Sequence, residues 1–213
     1  MTQTHPGRRA LLLTLPLAFA AAASAQPAQP LPATPAQMEG PYYPTTLPAD
    51  TDADLTRQPG LAAATGTRLA LEGRVLRTDG SPVAGAVVEI WQADANGIYL
   101  HPGDARLANR DAGFQGFGQV TTGADGRYAF LTIRPGLYTG RTAHIHVRVV
   151  PPAGRRLTTQ IYFADAAGNA ADGLLRRVSD PAQRARLVAT PVADAALGAG
   201  GQRITHDLVL RAD

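Results

Sequence analysis

The sequence predicts an all-β fold: a β-sandwich of about seven or more short strands, with one short helix and long loops. Three observations carry this. Short alternating or β-branched apolar runs recur from Thr67 onward, turn residues separate them, and only one stretch has helical start signals. With 22 Gly and 17 Pro in 213 residues, the chain is also rich in turn formers.

The first predicted strand covers residues 68–76, where Leu69, Leu71 and Val75 fall on one face. Asp79-Gly-Ser-Pro82 is a turn, and residues 86–91 form the next strand. Residues 116–122 and 128–133 follow, with Ala124-Asp-Gly126 between them as a hairpin turn. Residues 142–150, 157–163 and 204–210 complete the set. The single helical candidate is 181–188, where Asp180 can cap and Pro181 occupies the first helical position.

Upstream of this domain the composition changes twice. Residues 1–25 read as a signal peptide: Arg8 and Arg9 precede an apolar run that ends in Ala23-Ser24-Ala25, a small-residue cleavage site. The run is shorter than the roughly 20 residues needed to span a bilayer, so no membrane anchor is expected after cleavage. The arginine pair also resembles a twin-arginine leader, so export to the periplasm or beyond is expected by that route or the general one. Residues 26–38, with prolines at 27, 30, 32 and 35, read as an extended, poorly ordered linker. The folded domain is placed at 39–213, beginning near Glu39-Gly-Pro-Tyr-Tyr-Pro44.

Composition narrows the chemistry. The formal charge of +3 includes the two leader arginines, so the remainder is near neutral and gives no reason to expect nucleic-acid binding. No lysine occurs, which excludes Schiff-base chemistry and a P-loop. No cysteine occurs either, which excludes disulfides, thiolate nucleophiles and iron–sulfur clusters. Any chemistry must use His, Tyr, Asp, Glu, Ser or Arg.

The strongest local signal is Thr142-Ala-His144-Ile-His146-Val-Arg148. On a strand, residues two apart share a face, so both imidazoles can converge on one metal while Ile145 and Val147 point into packing. Two solvent-facing or cross-strand histidines would give the same pattern. No Asp or Glu lies inside the motif to complete a two-His-one-carboxylate site. Tyr138 lies upstream and Tyr99 follows the turn Asp94-Ala-Asn-Gly97. A phenolate is a hard anionic ligand suited to ferric iron, whose charge depresses a phenol pKa from its usual value of about 10. Either tyrosine could equally be a turn or edge aromatic.

Longer motifs bring these residues into one pattern. The chain contains Ile90-Trp-Gln-Ala-Asp-Ala-Asn-Gly-Ile-Tyr99, Phe114-Gln-Gly-Phe-Gly118, Asp125-Gly-Arg-Tyr-Ala-Phe-Leu-Thr-Ile-Arg-Pro-Gly-Leu-Tyr138 and Arg141-Thr-Ala-His-Ile-His146. In this order they resemble the intradiol ring-cleavage dioxygenases, the family of protocatechuate 3,4-dioxygenase and catechol 1,2-dioxygenase. The likeness extends to Thr159-Gln-Ile-Tyr-Phe163 and back to Gly40-Pro-Tyr-Tyr43. The resemblance implies a non-haem Fe(III) centre held by Tyr99, Tyr138, His144 and His146, acting with O2 on a catechol-type substrate. Tyr138 and His144 would be the axial ligands, with Tyr138 exchangeable during catalysis. Arg141 matches the arginine that stabilises negative charge on the bound ring. Gln160 matches a glutamine beside the site, and Tyr43 and His101 are candidate pocket residues. A homo-oligomer is compatible with the resemblance, although the long N-terminal helical region of the catechol enzymes is not seen here.

Two other readings compete. Gly73-Arg-Val-Leu-Arg-Thr-Asp-Gly-Ser-Pro-Val-Ala-Gly-Ala-Val-Val88 also suits an exported, non-enzymatic sandwich module, being a scaffold signature. A zinc hydrolase would use His144, His146 and His206, but no placed general-base carboxylate is evident.

Overall fold

A computed structural model describes residues 1–2, 29–138 and 140–211. The expected signal peptide thus falls, beyond its first two residues, outside the described part. Two five-stranded sheets pack face to face. In one, β1 (Arg68–Arg77) is central: β4 (Arg127–Ile133) runs antiparallel along one edge, while β9 (Gln202–Thr205) and β10 (Leu208–Leu210) run parallel along the other. β8 (Val192–Ala193) adds to β9. The second sheet has the order β3 (Phe117–Thr121), β2 (Val87–Trp91), β5 (His144–Val150), β6 (Leu157–Phe163), β7 (Val188–Ala189).

The core lies between the sheets and follows the alternation of the sequence. Leu69, Leu71 and Val75 of β1 are buried against Val88 and Ile90 of β2 and Ile145, Val147 and Val149 of β5. That choice of face decides the rest: with the odd residues of β5 committed to the core, His144 and His146 must stand on its other side.

The expectations fail in three places. The turn at 124–126 is not a hairpin, because β3 pairs with β2 and β4 with β1, so the chain changes sheets there. Thr122 fastens the crossing by accepting from Ala86 N and donating to Val83 O, and the Gly126 carbonyl accepts from Val75 N. The strand expected over 204–210 is broken at His206–Asp207, where Gly73 lets the chain come close. A Cβ on Gly73 would sit 2.0 Å from the His206 carbonyl, to which Tyr128 Oη donates at 2.6 Å. Among the described residues there are two short α-helices rather than one: α1 (Gly173–Arg176) and α2 (Pro181–Ala185), capped by Asp172 and Asp180. α2 ends before 188 because Val188 pairs with Tyr162 in the sheet.

The Pro/Ala-rich segment is also no loose linker over its described part. Its prolines hold it extended, and the amides of Thr34 and Gln37 find partners on two strand edges. Thr34 is buried, donating to Val209 O and accepting from Val209 N, while Gln37 N donates to Thr158 O and Pro35 O accepts from Thr159 Oγ1. Composition signals what a segment cannot do by itself and is silent on an edge that receives it. Thr34→Val removes the acceptor for a buried amide and should cost about 1–3 kcal/mol. A lowered urea midpoint checks this, and an unchanged midpoint would show that the segment is only laid on the surface.

Candidate metal centre

Four donors predicted from the sequence meet on the outer face of the β2–β5–β6 sheet. His144 Nε2 and His146 Nε2 lie 3.2 Å apart, and Tyr99 Oη is 3.4 Å from His144 Nε2. The Tyr138 ring sits 5.3 Å from Tyr99 and 5.7 Å from His144, centroid to centroid. Both histidines and Tyr99 are almost fully buried, whereas Tyr138 is half-buried.

Each donor is held by its own element. The His144 ring faces the Thr142 carbonyl through Nδ1 at 2.7 Å; a carbonyl only accepts, so Nδ1 carries the proton and Nε2 presents a lone pair. His146 stacks on Trp91 with centroids 4.9 Å apart, and its Nδ1 is buried with no partner among the described residues. Gly40 closes over it: a Cβ there would lie 3.3 Å from His146 Cε1.

The two tyrosines arrive on separate loops that touch backbone to backbone. A Cβ on Gly97 would lie 2.0 Å from Leu137 O, and one on Gly136 would lie 2.3 Å from Ala95 O. Only glycine permits that approach, and Gly97 also needs its φ of 74°. Asp94 braces the first loop by accepting from Asn96 N, Ile98 N and Asp111 N, and Asp104 accepts from Tyr99 N.

Arg141 is more deeply engaged than a loop arginine. Its guanidinium donates to Tyr138 Oη at 3.2 Å, Gln160 Oε1 at 2.6 Å, Tyr162 Oη at 3.2 Å and Asp172 Oδ2 at 2.8 Å. Gln160 thus sits where expected, orienting the arginine. Asp172, fully buried at its side chain, went unpredicted: its role depends on a contact across thirty-one positions, which no local pattern encodes. Of the two aromatics in Gly40-Pro-Tyr-Tyr43, Tyr42 faces the site, stacked on Tyr99 at 4.5 Å and edge-on to His101 and Tyr138. Tyr43 turns away to Trp91 and Glu89, so it does not line the pocket as expected. His206 lies in the other sheet, and no group of three or more His, Cys, Asp or Glu among the described residues could hold a metal. That removes the support for the zinc-hydrolase reading.

Burial sets the charge states of the metal-free site. It pushes the His144 imidazole down to about 4, helped by the Arg141 charge, and His146 well below its ordinary value. It also raises both phenols, Tyr99 most strongly, although Arg141 pulls Tyr138 partly back. The result is two neutral imidazoles and two protonated phenols, a pocket with lone pairs and no cation of its own beyond Arg141.

Two predictions follow from these contacts. Arg141→Ala should cost about 3–5 kcal/mol, because it leaves the Asp172 carboxylate buried and unpaired, while Arg141→Lys should keep most of that stability. Equal urea midpoints for the two variants would contradict this. In the metal-free protein, His144, His146 and His206 all have folded pKa values below the unfolded value of about 6.5, with burial the leading cause in each. Their contribution to stability is therefore full above about pH 6.5 and is lost as pH falls toward about 4, because the unfolded chain takes up protons first. Urea midpoints that stay constant over that window would contradict it.

Comparison with known proteins shows the family. The family model described as "Dioxygenase" matches residues 38–212. The protocatechuate 3,4-dioxygenase beta chain of Burkholderia cepacia is 44% identical over 106 residues, covering 46% of this chain and 45% of that protein. The match to that relative therefore spans under half of its length. The protocatechuate 3,4-dioxygenase alpha chain of Pseudomonas putida is 31% identical over 177 residues, 76% of this chain and 86% of that one. Among solved structures, the dioxygenase domain of a dioxygenase carbohydrate-binding protein fusion from Streptomyces sp. SirexAA-E is 34% identical with a TM-score of 0.66, over 85% of this chain and all of that one. With the family model spanning nearly the whole described domain, this chain belongs to the intradiol ring-cleavage dioxygenase family.

Proposed function

We propose that Tyr99, Tyr138, His144 and His146 hold a non-haem Fe(III) ion, and that the protein cleaves a catechol-type ring between its hydroxyl-bearing carbons. The observation that carries this is the convergence of two imidazole Nε2 atoms and two phenols in one buried spot. His144 Nε2 turns its lone pair toward His146 Nε2 at 3.2 Å and Tyr99 Oη at 3.4 Å, and His146 Nδ1 is buried without a partner among the described residues, a donor cluster that a bound cation would complete. Hard phenolate oxygens with imidazole favour a trivalent, oxygen-seeking metal, and the donor set lacks the thiolates or carboxylates of the common alternatives.

Bound there, ferric iron would supply Lewis acidity that favours the deprotonated, electron-rich form of the substrate toward O2. The residues do the rest. Tyr138, half-buried and touching Arg141, would in its phenolate form take a substrate proton at Oη; Tyr99 is walled in by Tyr42 and fixed through its own backbone. Arg141 holds a fixed positive charge beside that oxygen, where negative charge grows as the ring accepts O2. Asp172, Gln160 and Tyr162 keep the guanidinium from swinging out to water. Both O2 atoms end in the two carboxyl groups of a muconate-type diacid, so atoms balance with no further reductant.

We also propose that the protein is exported, supported by the leader-like residues 1–25. The non-enzymatic module remains a poorer reading, since packing alone explains neither Arg141's four partners nor the paired imidazoles.

Iron-loaded protein should be red-brown through phenolate-to-iron charge transfer, and Tyr99→Phe should remove much of that band while leaving the fold intact. A colourless protein, inactive after iron loading, would sink the proposal. Arg141→Lys should keep iron and colour, still shift its spectrum with catechol, and turn over about 10²-fold more slowly. Near-normal turnover would show that the guanidinium only supports the fold.

A further inference from the structure

Away from the four donors, a cleft of about 640 Å³ opens between four segments: Thr34–Ala36, the start of β6, the stretch from the end of α1 into α2, and the end of β10. Arg155, Arg156, Arg177 and Arg211 line it, and Asp180 is the single acidic residue among the described residues of its walls. The Asp180 carboxylate is already engaged, accepting from Ala182 N at the cap of α2.

Elsewhere the arginines are mostly committed. Arg74, Arg134, Arg141, Arg148 and Arg203 each pair with a carboxylate, and Arg184 donates to backbone carbonyls. In the cleft, the Arg156, Arg177 and Arg211 guanidiniums meet no hydrogen-bond or ion-pair partner among the described residues. In a chain whose charges otherwise nearly cancel, this gathers three guanidiniums without such a partner among the described residues around one concave space. Leu157 and Leu210, both buried, form part of its lining.

We infer that this cleft binds a small organic dicarboxylate. A guanidinium fork matches a carboxylate with two parallel hydrogen bonds, and arginines contributed by three separate segments can meet more than one carboxylate. The apolar lining suits a carbon chain between those ends, and the volume is that of an ordinary small-molecule cleft. Inorganic phosphate satisfies one fork and leaves the apolar surface bare. The choice of a dicarboxylate rests on the ring-cleavage reading, because opening a ring between two hydroxyl-bearing carbons yields that charge type; the arrangement of charges in the cleft does not.

The test is calorimetric titration of iron-loaded protein with cis,cis-muconate, its dimethyl ester and inorganic phosphate, repeated on the Arg156→Gln/Arg177→Gln double variant. Both side chains are exposed and lie outside the proposed catalytic machinery, so the variant should fold and cleave catechol as before. Saturable muconate binding, at least about tenfold weaker in the variant and absent for the ester, is the expected result. Equal affinity in the variant, phosphate binding as tightly as muconate, or no binding at all would overturn the inference. A catechol-cleavage assay run beside it separates the two readings: cleavage without cleft binding removes only this site, and cleft binding without cleavage removes only the proposed reaction.

Discussion

The buried carboxylate of Asp172 organises the face of the sandwich that carries the chemistry. Its two oxygens accept from Arg141 Nε, Thr142 N, Leu174 N and Leu175 N, so one group caps α1, fixes the start of β5 and neutralises an arginine. These bonds and the Arg141 charge hold the carboxyl below its ordinary range, although its burial pushes the other way. A charge taken out of water is tolerable only when so completely satisfied. Because Asp172 is anchored to backbone amides, it fixes Arg141, and Arg141 then fixes the side chains around the four donors. The dependence continues outward: Tyr162 Oη donates to Gln37 Oε1, and Gln160 Nε2 donates to Met38 O, which ties the N-terminal segment into the same network.

Much of this was legible in the sequence, and for identifiable reasons. Alternation in β1 and β5 is a local consequence of strand geometry, so the core face and the two outward histidines could be read directly. The helix at 181 was visible through Asp180 and Pro181, whose effects act within one turn. The gathering of Tyr99, Tyr138, His144 and His146 came from the order of the long motifs, because spacing alone left each tyrosine open to a bland reading.

What was missed is non-local. The change of sheet between β3 and β4 cannot be told from a hairpin by its turn residues, since Asp125-Gly126 serves either. The close backbone contact of Gly97 with Leu137 depends on two loops meeting, as does the pairing of Arg141 with Asp172. Tyr42 and Tyr43 are adjacent and chemically alike; the Gly40 turn decides which one reaches the site, at a φ of 78°. The Pro/Ala-rich segment misled because its composition describes an isolated chain, whereas β6 and β10 supply edges to receive it.

The proposed centre requires the four donors to act together on one iron. Anomalous diffraction at the iron edge, from crystals of the iron-loaded protein, tests this most directly. The account predicts a single strong peak bounded by Tyr99 Oη, Tyr138 Oη, His144 Nε2 and His146 Nε2. A peak bound elsewhere, or one touching the histidines while both phenols stay remote, would contradict it.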